Sequence, residues 1–137
     1  QWGAGKNADF TTAQTPWLPV TDNYKTHNVE TELKDPASFL SLYRTLGTLR
    51  NESDSLRYGM FRILDTSDPD VLAFTRTASN QKHTVFINFS KQPATVHLKD
   101  GVTVGTFVLS SHPETKLEKH SGSKIALQPH EAVIFTS

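Results

Sequence analysis

Apolar positions fall into three regimes along the chain. From Gln1 to about Leu33 no periodicity persists, and Gly3, Gly5, Pro16 and Pro19 punctuate a run rich in Asn, Asp and Thr. That stretch reads as a long ordered loop, which is uncommon in a compact domain unless it is functional or packs against another body. At Asp35-Pro36 the pattern changes. Asp suits a cap, Pro suits the first helical position, and Phe39, Leu42, Tyr43, Leu46 and Leu49 recur at steps of three and four. The spacing predicts one amphipathic helix from about Pro36 to Arg50, stopped by Asn51-Glu52-Ser53-Asp54. Its apolar stripe needs a surface to cover, and Arg44 and Arg50 toward its end suit the dipole.

Everything after Ser53 reads as strands. The runs Met60 to Leu64, Val71 to Thr77, His83 to Ser90, Ala94 to Lys99, Val102 to Ser111, Lys124 to Gln128 and Ala132 to Ser137 are rich in Val, Ile, Phe, Leu and Thr. Strands with no intervening helix predict an antiparallel sheet or sandwich. Asp65 to Asp70 reads as a hairpin connection, Lys99-Asp100-Gly101 as a tight turn, and Pro113 to Ser123 as a long polar excursion. In the third run Val85, Ile87 and Phe89 are expected to face the core, with Thr84, Phe86 and Asn88 facing away.

Composition narrows the function classes. A chain of 137 residues with 36% hydrophobic side chains makes one or at most two compact units with a real core. Fourteen basic residues balance fourteen acidic ones, which argues against a broad nucleic-acid or anionic-membrane footprint. No apolar run reaches the length of a membrane span. The start at Gln1 without Met suggests a processed product or a piece of something longer. With no cysteine, thiolate zinc sites, disulfides and thiol nucleophiles are absent.

Candidate chemistry is sparse. The carboxylates fall where turns and caps want them, with Asp35 before the helix, Asp65, Asp68 and Asp70 in one turn and Asp100 before Gly101, so no catalytic pair is nominated. His27, His83, His97, His112, His120 and His130 show no metal-ligand spacing, and neither metal nor cofactor is expected. Gly3-Ala4-Gly5-Lys6 lacks the spacing of a phosphate loop, and no Gly-x-Ser-x-Gly elbow occurs. Two Asn-x-Ser sequons, at Asn51 and Asn88, are N-glycosylation candidates. Trp2, Phe10, Trp17 and Tyr24 could stack on a sugar ring or pack the loop on a neighbouring body.

Gln1-Trp2, Asn7-Ala8-Asp9-Phe10-Thr11-Thr12, Pro16-Trp17-Leu18-Pro19-Val20, Asn23-Tyr24-Lys25, Asn28-Val29-Glu30 and the helix Asp35 to Arg44 form an ordered series. It resembles the alpha-glucosidases of the alpha-amylase superfamily, glycoside hydrolase family 13. There the loop leaving the eighth barrel strand reads Arg-x-Pro-Met-Gln-Trp-Asp, then Asn-Ala-Gly-Phe, then Trp-Leu-Pro-Val-x-x-x-Tyr. Leu56-Arg57-Tyr58-Gly59, Asp70 to Arg76, Phe86 to Ser90 and Pro129-His130-Glu131-Ala132 resemble the same family's C-terminal β domain. Two departures stand out: Gly3 where the family has Asp, and Asp9 where it has Gly.

The resemblance implies that residues 1–52 are the last loop and helix of a (β/α)8 barrel and that 53–137 form a C-terminal antiparallel Greek-key β-sandwich. A barrel alone needs about 250 residues, so the family's catalytic Asp, Glu and second Asp would lie upstream of Gln1, and none is assigned here. The implied function is a secreted or luminal alpha-glucosidase, a maltase acting on maltose- or sucrose-type oligosaccharides, with this piece structural and inactive alone. Its partners would be the rest of the barrel and the oligosaccharide substrate. Gln1, Trp2, Asn7 and Phe10 would be the residues at the substrate rim. Competing readings are an ectodomain piece of a non-enzymatic amino-acid transporter heavy chain and a stand-alone sugar-binding sandwich.

Overall fold

The computed structural model describes residues 1–99, 104–115 and 124–137. The expected turn at Asp100-Gly101, the expected start of a strand at Val102, His120 and most of the polar excursion after Pro113 lie outside them. The chain divides into two compact units, Gln1–Thr48 and Leu49–Ser137.

In the first unit the opening loop is organised by two single 3-10 turns, Lys6–Asp9 and Asp22–Lys25, and by a one-turn helix α1 at Val29–Glu32. Asn28 caps α1. Its Oδ1 accepts from Thr31 N at 2.9 Å while its Nδ2 donates to Tyr24 O at 2.8 Å. The first free N–H groups of α1 are satisfied by the start of the chain: Val29 N donates to Gln1 O and Glu30 N to Trp2 O, both at 3.0 Å.

Helix α2 spans Phe39–Glu52, three residues later than the sequence pattern suggests. The reason is local capping. Asp35 Oδ1 accepts from Ala37 N in a separate turn, whereas Ser38 Oγ accepts from Ser41 N at 3.2 Å and Glu32 Oε2 from Leu40 N at 3.1 Å. No residue of α2 is buried, and Phe39 is 85% exposed.

The expectation of strands alone after Ser53 is corrected in the second unit. A short helix α3, Asp54–Tyr58, begins there because Ser53, read as part of a helix stop, is also a cap whose Oγ accepts from Leu56 N at 3.2 Å. Gly59 then joins α3 to the sheet by close approach. A Cβ at that position would collide with Ser55 O and stand 2.9 Å from Thr77 N.

Seven strands follow: β1 Met60–Leu64, β2 Val71–Ala78, β3 Gln81–Asn88, β4 Ala94–His97, β5 Thr106–Ser110, β6 Lys124–Leu127 and β7 Ala132–Thr136. They form an antiparallel five-stranded sheet in the order β1-β2-β3-β7-β5 and an antiparallel pair β4-β6. Val71, Ala73, Phe86, Val133 and Phe135 of the larger sheet pack against Ala94, Val96, Ile125 and Leu127 of the smaller one. Phe86 and Phe135 meet edge to face, with ring centroids 6.1 Å apart.

The facing of β3 is the reverse of expectation. Thr84, Phe86 and Asn88 point into the core, and Phe89 is exposed. His83 and Val85 are nevertheless buried on the opposite face, where α3 lies over β2 and β3. A strand covered on both sides carries no usable alternation.

Candidate functional site

The proposed rim residues all belong to the first unit. Gln1 Nε2 donates to Thr21 Oγ1 and, at 3.3 Å, to Asn23 Oδ1, so this amide is tied to the loop. The Trp2 backbone N–H donates to Ala8 O at 2.9 Å, leaving the indole more than half exposed. Asn7 sits in the left-handed region at φ +56°, and its Nδ2 donates to Ala13 O at 2.8 Å. It therefore shapes the loop from within. Phe10 is brought beside Trp17, which is 94% exposed, in an open concavity of about 670 Å³ lined also by Pro16, Leu18, Pro19 and Val20. Two aromatic faces in one apolar concavity are suited to the C–H faces of a sugar ring.

A smaller cleft of about 240 Å³ opens in the sandwich beside Leu64, Ala73, Phe86, Val96 and Leu98. Its Asp65 pairs with Lys99 at 3.0 Å across exposed side chains. The larger concavity is lined by no acidic residue and this cleft by Asp65 alone, so neither gathers the paired carboxylates that glycoside hydrolysis uses. Among the described residues no group of three or more His, Asp or Glu is arranged to hold a metal ion.

Two buried polar clusters escaped the sequence reading. Glu131, 1% exposed, accepts from Ser110 Oγ and Thr115 Oγ1 at 2.6 Å each and from Gln128 N at 2.7 Å. Burial pushes its carboxyl up, but these three hydrogen bonds, aided by His112, outweigh burial and hold it below the usual range. In the second cluster His83 Nδ1 lies 2.6 Å from Ser55 Oγ, and both Ser53 and Ser55 donate to Gln81 Oε1. Burial pushes the His83 imidazole down. Both clusters hold elements together: β5 to the β6–β7 turn, and α3 to β3. The signal for Glu131 was its place in the Gln128-Pro129-His130-Glu131 turn, where an acid can reach back to the first N–H.

Of the two sequons, Asn51 is exposed on the last turn of α2. Asn88, expected to face outward, is 1% exposed, with Nδ2 donating to Gln92 O and Gln128 O at 2.8 and 2.9 Å and Oδ1 accepting from Ser90 N. The corrected facing of β3 puts this amide inside the fold, where it leaves no room for a glycan.

Comparison with known proteins places these features in a family. The model of the alpha-amylase catalytic domain matches residues 1–59, and that of the maltogenic amylase C-terminal domain matches residues 61–134. An oligo-1,6-glucosidase of Parageobacillus thermoglucosidasius is 35% identical over 98% of this chain and 24% of its own length. A trehalose-6-phosphate hydrolase of Bacillus subtilis is 32% identical with the same coverage. The crystal structure of a trehalulose synthase from Pseudomonas mesoacidophila MX-45 matches with a TM-score of 0.87 and 34% identity over 99% of this chain and 24% of that one. The chain thus spans about a quarter of the length of the curated relatives it matches. Among the described residues no helix is long and apolar enough to cross a membrane. With more than half of its residues inside the maltogenic amylase C-terminal domain and the preceding segment inside the alpha-amylase catalytic domain, the chain belongs to the alpha-amylase superfamily of glycoside hydrolases.

Proposed function

We propose that this chain supplies the end of the catalytic barrel and the C-terminal β domain of a retaining alpha-glucosidase acting on terminal alpha-linked glucose. The observation that carries the reading is the tandem match, catalytic-domain end followed by C-terminal domain, with glucosidase relatives at about a third identity along nearly the whole chain. Retention needs a nucleophilic carboxylate and an acid carboxyl about 5 Å apart, and in this reading both stand on barrel strands outside these residues. The concavity of Phe10 and Trp17, with Trp2 nearby in sequence, then contributes to the substrate rim, and the sandwich buttresses the barrel. The exposed Asn51 sequon accords with a secreted or luminal glycoprotein. Relatives bearing oligo-1,6-glucosidase names make an alpha-1,6 disaccharide a substrate to try beside maltose and sucrose.

The test is glucose release by the full-length protein from isomaltose, maltose and sucrose, with the anomer of the first product followed by proton NMR. Alpha-glucose is expected first. Beta-glucose as first product, or no turnover of any alpha-glucoside, overturns the reading. The 137 residues alone are expected to release none, and turnover by the pure chain would place the chemistry within it.

A further inference from the structure

Positions 3 and 9 confront each other across the opening loop. Asn7, Ala8 and Asp9 form a run of three left-handed residues, with φ of +56°, +52° and +59°. Glycine enters that region freely, and Asp tolerates it better than most side chains. The run turns the Asp9 carboxylate back onto Gly3 and Gly5. Gly5 N–H donates to Asp9 Oδ2 at 3.3 Å. A Cβ added at Gly3 would fall on Asp9 Oδ2, and one added at Gly5 would fall on Asp9 Oδ1. Swinging the carboxylate aside would give up its bond to Gly5. Glu30 Oε2 stands 3.3 Å from the same Gly3 Cβ position, while Glu30 Oε1 is held by Lys34 Nζ at 2.9 Å. A carboxylate rooted at position 9 therefore already fills the space that a side chain at position 3 would need. Trp2 N and Gly3 N both donate to Ala8 O, which keeps the two limbs in register.

From this geometry we propose that Asp9 is a positioning residue, and that it and Gly3 form one coupled exchange: the space beside Gly3 admits a carboxylate delivered from position 9 or a side chain rooted at position 3, not both. On the family pattern that the resemblance implies, the two departures are then one event. Gly3 is required by Asp9, and Asp9 supplies the negative charge beside Trp2. A second acid at position 3 would be confronted by both Asp9 and Glu30, with like charges at close range. The inference rests on the reading of this loop as the rim of an alpha-glucoside site.

The test is a double-mutant cycle in the full-length protein: Gly3→Asp, Asp9→Gly and the two together, each measured for kcat and KM on its best alpha-glucoside and for thermal midpoint. Gly3→Asp should raise KM about tenfold, and adding Asp9→Gly should bring it back to within about threefold of the parent. A kinetically silent Gly3→Asp, or a double variant as impaired as the single, overturns the exchange. Midpoints that fall and recover while KM stays fixed overturn the positioning role. If the protein turns over no alpha-glucoside, the functional reading fails on its own, and the cycle is decided by the midpoints: recovery in the double variant supports the exchange and strictly additive losses overturn it.

Discussion

Removing the Glu131 carboxylate tests how much one buried acid contributes to the β domain. It accepts three hydrogen bonds, from Ser110, Thr115 and the Gln128 backbone, and is almost without solvent contact. Glu131→Ala leaves three donors without their acceptor, at about 1 kcal/mol or more each, for a loss on the order of 3–5 kcal/mol. That is a large share of the ~5–15 kcal/mol that holds a domain together. Glu131→Gln keeps the volume, but it either sets an NH2 against the Gln128 N–H or turns that group toward the two hydroxyls, for about 1.5–3 kcal/mol. For a domain of this size each kcal/mol moves the thermal midpoint by roughly 4–8 °C. The assay is urea unfolding followed by far-ultraviolet circular dichroism as a function of pH. Because the folded carboxyl is held below its ordinary value of 4.5, its stabilisation is full above that value and disappears as pH falls through the lowered one. The gap between parent and Glu131→Gln should therefore be wide at neutral pH and shrink in acid. A gap under about 0.5 kcal/mol at pH 7, the scale of an unremarkable surface change, would refute the reasoning.

Three further outcomes follow from the same geometry. His83 is buried with its imidazole pushed down, so the fold excludes a proton that the unfolded chain takes up below about 6.5; stability should decline as pH falls from that value toward the lowered one, and the decline should flatten in His83→Gln. Secreted expression in a glycosylating host should add a glycan at Asn51 and none at Asn88, read as the mass lost on enzymatic deglycosylation of each tryptic peptide; occupancy of Asn88 in folded protein would contradict its burial. The isolated chain should bind a hydrophobic dye or self-associate through α2, where Phe39 and Tyr43 are 85% and 77% exposed, and Phe39→Ser with Tyr43→Ser should reduce this at least severalfold.

Much of the β domain was legible because β-rich runs between turn residues have one reading: β1 runs Met60–Leu64 as the pattern predicts, and the other strands agree within a few residues where described. The side-chain facing of β3 was not. Val85 and Phe86 are both apolar and both buried, although neighbours along a strand point to opposite faces, so alternation offered no way to choose. α3 was hidden because five residues give no period, and Ser53 serves as both the end of one helix and the cap of the next. At the candidate rim, Phe10 and Trp17 could be named from sequence as aromatics with an uncommitted face. Gln1 and Asn7 could not be known to spend their amides inside the loop. The departures at Gly3 and Asp9 were visible as separate oddities; only the left-handed run from Asn7 brings them face to face.

The place of β7 in the larger sheet carries a consequence for synthesis. It is flanked by β3 and β5, yet it follows every other strand in sequence. While the nascent polypeptide emerges from the ribosome, β3 and β5 each wait with an open edge for a neighbour not yet made. Such long-range closure is slow, and waiting edges recruit other chains. Yield of this module should therefore depend on chaperone supply and on lower growth temperature more than on the thermodynamic strength of its finished core.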